Sequence, residues 1–286
     1  MDHVQFEHRP KLTRPAMICA FAGWNDGGEA ATAAATYLRD RWEASKFASL
    51  DPEEFFDFQV TRPTVTLVDG KSRKIDWPAS DFFHASLDQR DVIVFIGIEP
   101  NVRWRTFCGA IVETATELGV EILVTLGAFL ADVPHTRPSP STASSADPSW
   151  LERLGSVPSR YEGPTGITGV LHDAAGRAGL PSVSLWAAVP HYLPSGPNPR
   201  AAMALVEKVA VALDVSVPTD TLARAAASWE RQVTSMIEEN ADLAAYVKRL
   251  EETADEREEI TEMPSGEALA QELERFLREQ RREGDR

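Results

Sequence analysis

Four short segments hold the residues whose types could do chemistry: Gly23–Glu29 (GWNDGGE), Asp132–Pro138 (DVPHTRP), Tyr161–Gly169 (YEGPTGITG) and Pro190–Arg200 (PHYLPSGPNPR). The first has glycines ahead of an Ala-rich stretch, a pattern that lets backbone N–H groups approach an anion at a helix start. Gly23 to Gly28 matches a phosphate-binding P-loop in length only. Glu29 stands where that motif has Lys, and Ala30 where it has Ser or Thr, so the charge is wrong for a nucleoside triphosphate. The simpler role of Asp26 and Glu29 is to cap and favour the helix start, where carboxylates are stabilised.

Other chemistries fare no better. There is no G-x-S-x-G nucleophile elbow, and Cys19 and Cys108 sit in apolar surroundings that suit inert thiols. The six histidines (His3, His8, His84, His135, His172, His191) show no H-x-H and no H-E-x-x-H, and no C-x-x-C is present. No metal or cofactor is expected, and no nucleophile and base can be paired from spacing.

What positions these segments is a series of apolar strands. Ala16–Phe21 (AMICAF), Asp91–Gly97 (DVIVFIG), Glu121–Gly127 (EILVTLG) and Ser182–Val189 (SVSLWAAV) are apolar at nearly every position, as strands covered on both faces are. Helical intervals at Glu29–Arg39, Arg103–Leu118, Gly166–Ala178 and Pro199–Leu213 separate or follow them. Thr64–Val68, Asp69-Gly70 and the extended stretch to Trp77 read as a β-hairpin. The fold class is therefore α/β, a mostly parallel sheet flanked by helices.

In parallel α/β sheets ligands gather at the carboxyl ends of the strands. If the four segments meet there, Gly23, Trp24, Asn25, Asp26, Gly27, Gly28, His135, Arg137, Tyr161, Thr165, His191, Tyr192 and Asn198 line a cleft. The alternative is that Pro and Gly shape loops while His and Tyr bond to backbone. From Pro134 to Ser149, 11 of 16 residues are Pro, Ser or Thr, which predicts a long structureless connection, either functional or a surface insertion.

The chain has 286 residues and a net charge of -15, with no basic run longer than two residues. Such a balance excludes a general nucleic-acid binder, which needs a concentrated positive face. No apolar run approaches the roughly 20 residues of a membrane span, the first dozen residues lack a secretory signal, and two cysteines make no disulfide framework. A cytoplasmic protein is expected.

Residues 220–286 form an acidic helical tail, with 18 acidic and 10 basic residues giving -8 of the -15. Leu222, Ala226, Trp229, Val233, Met236, Asn240, Leu243, Val247, Leu250 and Ala254 follow a heptad and predict a coiled-coil-like seam, with Asn240 the polar register residue. Met263-Pro264-Ser265-Gly266 ends that helix, and a second begins near Glu267 with Leu269, Leu273, Phe276 and Gln280 on one face. A helical hairpin over 220–286, beside an α/β domain over 1–219, is the expected organisation. The other reading is that both helices cover the core of the body.

FAGWNDGGEAA (Phe21–Ala31), GAFLADVPHTRP (Gly127–Pro138), YEGPTGITGVL (Tyr161–Leu171) and SLWAAVPHYLPSGPNPRAA (Ser184–Ala202), in that order, resemble a bacterial member of the proteasome assembly chaperone family, of the type named for its second chaperone subunit. The resemblance runs from about Arg14 to Leu213. It implies a phosphorylase/hydrolase-like α/β fold, homo-oligomers with trimers favoured, and proteasome subunits as candidate partners. It implies no established activity. The closing Gly284-Asp285-Arg286 departs from the hydrophobic-Tyr-any ending of ring-docking relatives. The preferred reading is a non-enzymatic assembly or interaction protein. The alternative is a small-molecule hydrolase, phosphorylase or ligand-binding protein using the cleft.

Overall fold

A computed structural model of the chain describes residues 3–159, 161–193 and 196–262. The N-terminal third contains β1 (Val4–Phe6), β2 (Ala16–Ala22), α1 (Ala30–Arg41), β3 (Ser45–Leu50), β4 (Thr64–Val68), β5 (Ser72–Asp76), β6 (Asp81–Ser86) and β7 (Asp91–Ile98). There follow α2 (Trp104–Glu117), β8 (Ile122–Ala131), β9 (Ser141–Ser145), α3 (Ser149–Leu154), β10 (Val157–Pro158), α4 (Ile167–Arg177), β11 (Ser182–Pro190), α5 (Pro199–Leu213), α6 (Asp220–Glu238) and α7 (Ala241–Glu262). By packing, the chain divides into two compact units, residues 1–236 and 237–286.

The main sheet has the order β1-β3-β6-β7-β2-β8-β11-β9-β10. Its centre, β7-β2-β8-β11, is parallel throughout, and these are the four apolar strands expected from sequence. Because side chains alternate across a strand, β7, β2 and β8 feed two cores, while β11 sends Val183, Leu185, Ala187 and Val189 into the first. Ile18, Val94, Val124 and Leu185 face one core with α1, α5 and Leu222 of α6. Met17, Ile93, Phe95 and Leu123 face the other with α2 and α4. Rings of Phe21, Phe82, Phe95 and Phe107 stack through the second core at centroid spacings of 4.6 to 6.3 Å.

Antiparallel strands β6, β3 and β1 extend one edge, and β9 extends the other. The Pro/Ser/Thr-rich segment from Pro134 to Ser149 is therefore not structureless, as its composition predicted. Ser141–Ser145 pairs with β11, places Ala143 in the core, and puts short hydroxylated side chains on either side. Proline stays out of the paired residues, where a missing N–H would break the ladder. The predicted hairpin is β4 and β5, a separate two-stranded sheet whose central Asp69 and Gly70 both take positive φ, the requirement of a type I′ turn.

The tail departs from one continuous seam. Helix α6 ends at Glu238, and Asn240 begins α7 by accepting the Leu243 N–H at 3.2 Å. Asparagine is among the strongest helix N-caps, so it acts as a cap and not as a register residue. Along α6, Leu222, Ala226 and Val233 are buried, while Met236 is exposed. The helix is tied to the body by the Tyr37 hydroxyl, which donates to the Pro218 carbonyl at 2.6 Å, and by the Arg200–Glu230 ion pair. In the second unit, the Arg249 guanidinium lies 5.6 Å from the Tyr246 ring centre. The helix expected from Glu267 lies outside the described residues. Among the described residues, no helix is long and apolar enough to cross a membrane.

One contact between β8 and β11 sets a sharp steric demand. Trp186 pairs with Gly127 across the strands, and a Cβ on Gly127 would stand 2.5 Å from the Trp186 ring. Gly127→Ala must push the indole aside, loosening its Nε1–H bond to the Ser184 hydroxyl. We expect a loss of about 1–3 kcal/mol from overpacking, measured as a lower urea midpoint with an unchanged m-value.

Candidate functional site

Gly23–Glu29 leaves the carboxyl end of β2 and turns into α1 through a 3-10 turn at Gly27–Glu29. Its polar side chains serve that turn. The Asp26 carboxylate accepts from Ala31 N–H at 2.7 Å, Thr32 N–H at 3.2 Å and the Thr32 hydroxyl at 2.5 Å, capping α1. Burial raises its pKa above the ordinary carboxylate value, against the lowering effect of those bonds. The turn is also stitched to β8, because the Asn25 carbonyl accepts from Ala128 N–H and Asp26 forms a bridge with Ala128. Gly28 packs on Asn198, whose N–H donates to the Gly28 carbonyl at 2.7 Å.

The residue that organises this end of the sheet is Glu99, directly after β7. Its carboxylate accepts from Asn25 Nδ2 at 2.9 Å, Ile167 N–H at 2.8 Å and, more weakly, Trp24 N–H at 3.4 Å. Ile167 is the first residue of α4, so a carboxylate sits at that helix N-terminus, where it is favoured. Gly166 must be glycine here, since a Cβ would lie 2.0 Å from Asn25 Nδ2 and 2.6 Å from Glu99 Oε1. Asn25 Oδ1 and Thr168 Oγ1 are buried without a hydrogen-bond partner.

A second polar group forms between the β8 and β11 loops. His135 is buried, with Nδ1 and its own N–H both on the Tyr192 hydroxyl at 3.0 and 2.8 Å, and Nε2 on the Thr234 hydroxyl of α6 at 3.0 Å. The Trp229 ring closes against it edge-on. Asn198 caps α5 by accepting the Ala201 N–H at 3.0 Å. Between them lies a pocket lined in part by His135, Arg137, Asn198, Arg200 and Trp229, with a volume of about 10 Å³, room for a single water.

The structure thus gathers the candidates into two neighbouring groups that Gly28 and Asn198 connect. His135, Arg137 and Asn198 share the pocket; Asn25 and Asp26 are buried in the first group. Tyr161 is exposed, with its hydroxyl donating to the Pro164 carbonyl, and Thr165 is exposed beside Gly169. His191 faces solvent with Nδ1 at 3.1 Å from Asp132. Sequence reasoning missed Glu99, Arg200, Trp229 and Thr234. Glu99 had a signal, a lone carboxylate ending an apolar strand; Trp229 and Thr234 had none, because only the docking of α6 brings them to His135.

Both thiols are buried in the aromatic core, and burial raises their pKa, Cys108 to about 12. That removes them from nucleophilic chemistry near neutral pH. Among the described residues, no group of three or more His, Cys, Asp or Glu is arranged to hold a metal ion.

A family model described as the PAC2 family matches residues 20–237. Among solved structures, the chain is 44% identical to a PAC2 family protein from Streptomyces avermitilis, covering 82% of this chain and 99% of that one with a TM-score of 0.76. It is also 44% identical to a Mycobacterium tuberculosis proteasome-assembly chaperone homologue, covering 81% and 99% with a TM-score of 0.75. An archaeal homolog of proteasome-assembly chaperone from Pyrococcus furiosus shares the fold at 20% identity and a TM-score of 0.60, over 88% of this chain and 99% of that one. Among curated proteins, none matches the chain.

The raised pKa of Asp26 carries a pH signature. The folded state holds the proton more tightly than the unfolded state, so the contribution to stability is full below the ordinary value of 3.8 and is lost as pH rises through the folded value. Relative to Asp26→Asn, which does not titrate, the native chain should lose stability over that rise. Asp26→Ala should cost about 1–2 kcal/mol through loss of the cap. Urea denaturation from acid to neutral pH measures both; a difference between native chain and Asp26→Asn that stays flat with pH would contradict the burial argument.

Proposed function

We propose, on the premise that the chain belongs to the PAC2 family, that it is a non-enzymatic, assembly-chaperone-like protein that acts through its surfaces. The observation that carries this reading is its 44% identity, over nearly the whole of the relative's chain, to a proteasome-assembly chaperone homologue. The site supports it in a second way. Asp26, Asn198 and Glu99 spend their acceptors on helix starts, and His135 joins the β8 loop to Tyr192 and α6. These are tasks of shape. The alternative, a small-molecule enzyme or binding protein, draws no support from a pocket of about 10 Å³, since ligand sites usually enclose about 300–1,000 Å³.

On this reading the protein works in the cytoplasm as a homo-oligomer, trimers being favoured, with proteasome subunits or their assembly intermediates as partners. The acidic tail serves as a further contact surface. Because α6 packs on the body through Leu222, Tyr37 and Arg200, a truncation that tests the tail must follow Met236.

The test is co-isolation from the native cell extract with the full chain and with a chain ending at Met236, each followed by mass-spectrometric identification. The reading expects stoichiometric recovery of proteasome subunits with the full chain, and a reduced yield with the shorter one. Recovery of the protein alone would overturn the partner assignment.

A further inference from the structure

Arg200 stands in the first turn of α5, with its side chain only 17% exposed and its Nη2 paired to Glu230 of α6. Its Nε–H is buried and meets no acceptor among the described residues. A guanidinium keeps its charge at any ordinary pH, and a buried donor on a charged group is costly when unpaired. Such a donor calls for an acceptor.

The small pocket beside His135 lies against the same arginine. Arg137 and Arg200 both line it, together with His135, Ser139, Asn198 and Trp229, and no Asp or Glu is among the described residues of its wall. Two carboxylates of the surroundings are engaged elsewhere: Glu230 holds Arg200 Nη2, and Asp132, 80% exposed, pairs with His191. A volume of about 10 Å³ limits the occupant. It admits one water or one monatomic ion and shuts out phosphate, sulfate and carboxylates.

Hydrogen-bonding capacity separates these two. A water that accepts from Arg200 must also place two protons of its own. The side-chain acceptors of the wall are engaged: Asn198 Oδ1 accepts the Ala201 N–H, both ring nitrogens of His135 lie on the hydroxyls of Tyr192 and Thr234, and the Ser139 hydroxyl donates to the Ala188 carbonyl. An anion has no proton to place. The charge of the two arginines and the N-terminal end of α5 favour it.

We propose that this pocket is a structural site for a single halide ion, chloride, which accepts from Arg200 Nε–H and completes the attachment of α6 to the body. The start of α5 supplies Asn198 and Arg200 to the wall and α6 supplies Trp229, so an ion between them joins helix to helix beside the Arg200–Glu230 pair. Such a site is independent of which partners the protein binds.

Melting of the full chain in sodium chloride and in sodium gluconate at equal ionic strength tests the site, since gluconate screens charge equally but is too large to enter. The melting temperature in chloride should rise above its gluconate value by about 2–4 °C and then level off as the site fills. Arg200→Gln should abolish that increment. Glu230→Gln, which removes the ion pair and keeps the Arg200 donor, should retain it. The increment is read within each variant, so a general loss of stability does not obscure it. Crystals of the native chain grown in bromide should show an anomalous peak in the pocket beside Arg200 Nε, and chloride should slow hydrogen exchange along α6. Equal melting in the two salts, an increment that survives Arg200→Gln, or a water without anomalous signal in the bromide crystals would overturn the site. A bromide peak with unchanged exchange along α6 would overturn its part in holding that helix.

Discussion

Four parallel strands with long apolar runs impose the constraint on which the rest of the molecule depends. Strands β7, β2 and β8 bury apolar side chains on both sides, and β11 packs one side on the first core while its other side carries Ser184 bonded to Thr125 and Trp186. Helices α1 and α5 cover one face, and α2 and α4 the other. Three of the four covers, α1, α2 and α5, begin where a central strand has just ended, so the chain has to turn sharply at the same rim several times. The polar residues of that rim are what make the turns possible. Asp26 starts α1, Asn198 starts α5, and Glu99 holds the start of α4 against the turn that follows β2. Asp26, Asn198 and Glu99 thus hold the turns of a tightly wound sheet.

The Asp26 carboxylate is taken up by the Ala31 and Thr32 N–H groups and the Thr32 hydroxyl, and the Trp229 ring lines the small pocket beside His135. What the molecule does present is surface: a hairpin with Val65, Leu67 and Ile75 exposed, and an exposed Trp24 at the end of β2. The chain belongs to the PAC2 family, and the proposal that it acts through its surfaces starts from these exposed groups.

Much of this was legible in the residues, and the reasons for success and failure are physical. The central strands announced themselves because burial on both faces demands uninterrupted apolar runs. The hairpin did so because Asp-Gly is the local solution to a type I′ turn. Strands β3 (SKFASL) and β6 (DFFHAS) escaped because short mixed strands on the antiparallel side carry little periodicity. Strand β9 was hidden by Ser, Thr and Pro, a loop composition that becomes a strand once β11 offers an edge. In the tail a regular heptad concealed a helix boundary, because Asn240 reads equally as a polar seam residue and as a cap, and only the backbone decides between them. The candidate residues were placed near one another by strand topology, but their employment in capping depended on distances that no spacing rule supplies.

The central claim is that this protein works by engaging other protein chains and not by holding a small molecule. Native mass spectrometry of the intact protein isolated gently from its own cells tests it most directly. The account predicts assemblies whose masses rise in whole protein subunits, further copies of the 31.4 kDa chain included. A single chain carrying a stoichiometric adduct of a few hundred daltons, lost in Asn25→Ala while the fold is retained, would contradict it.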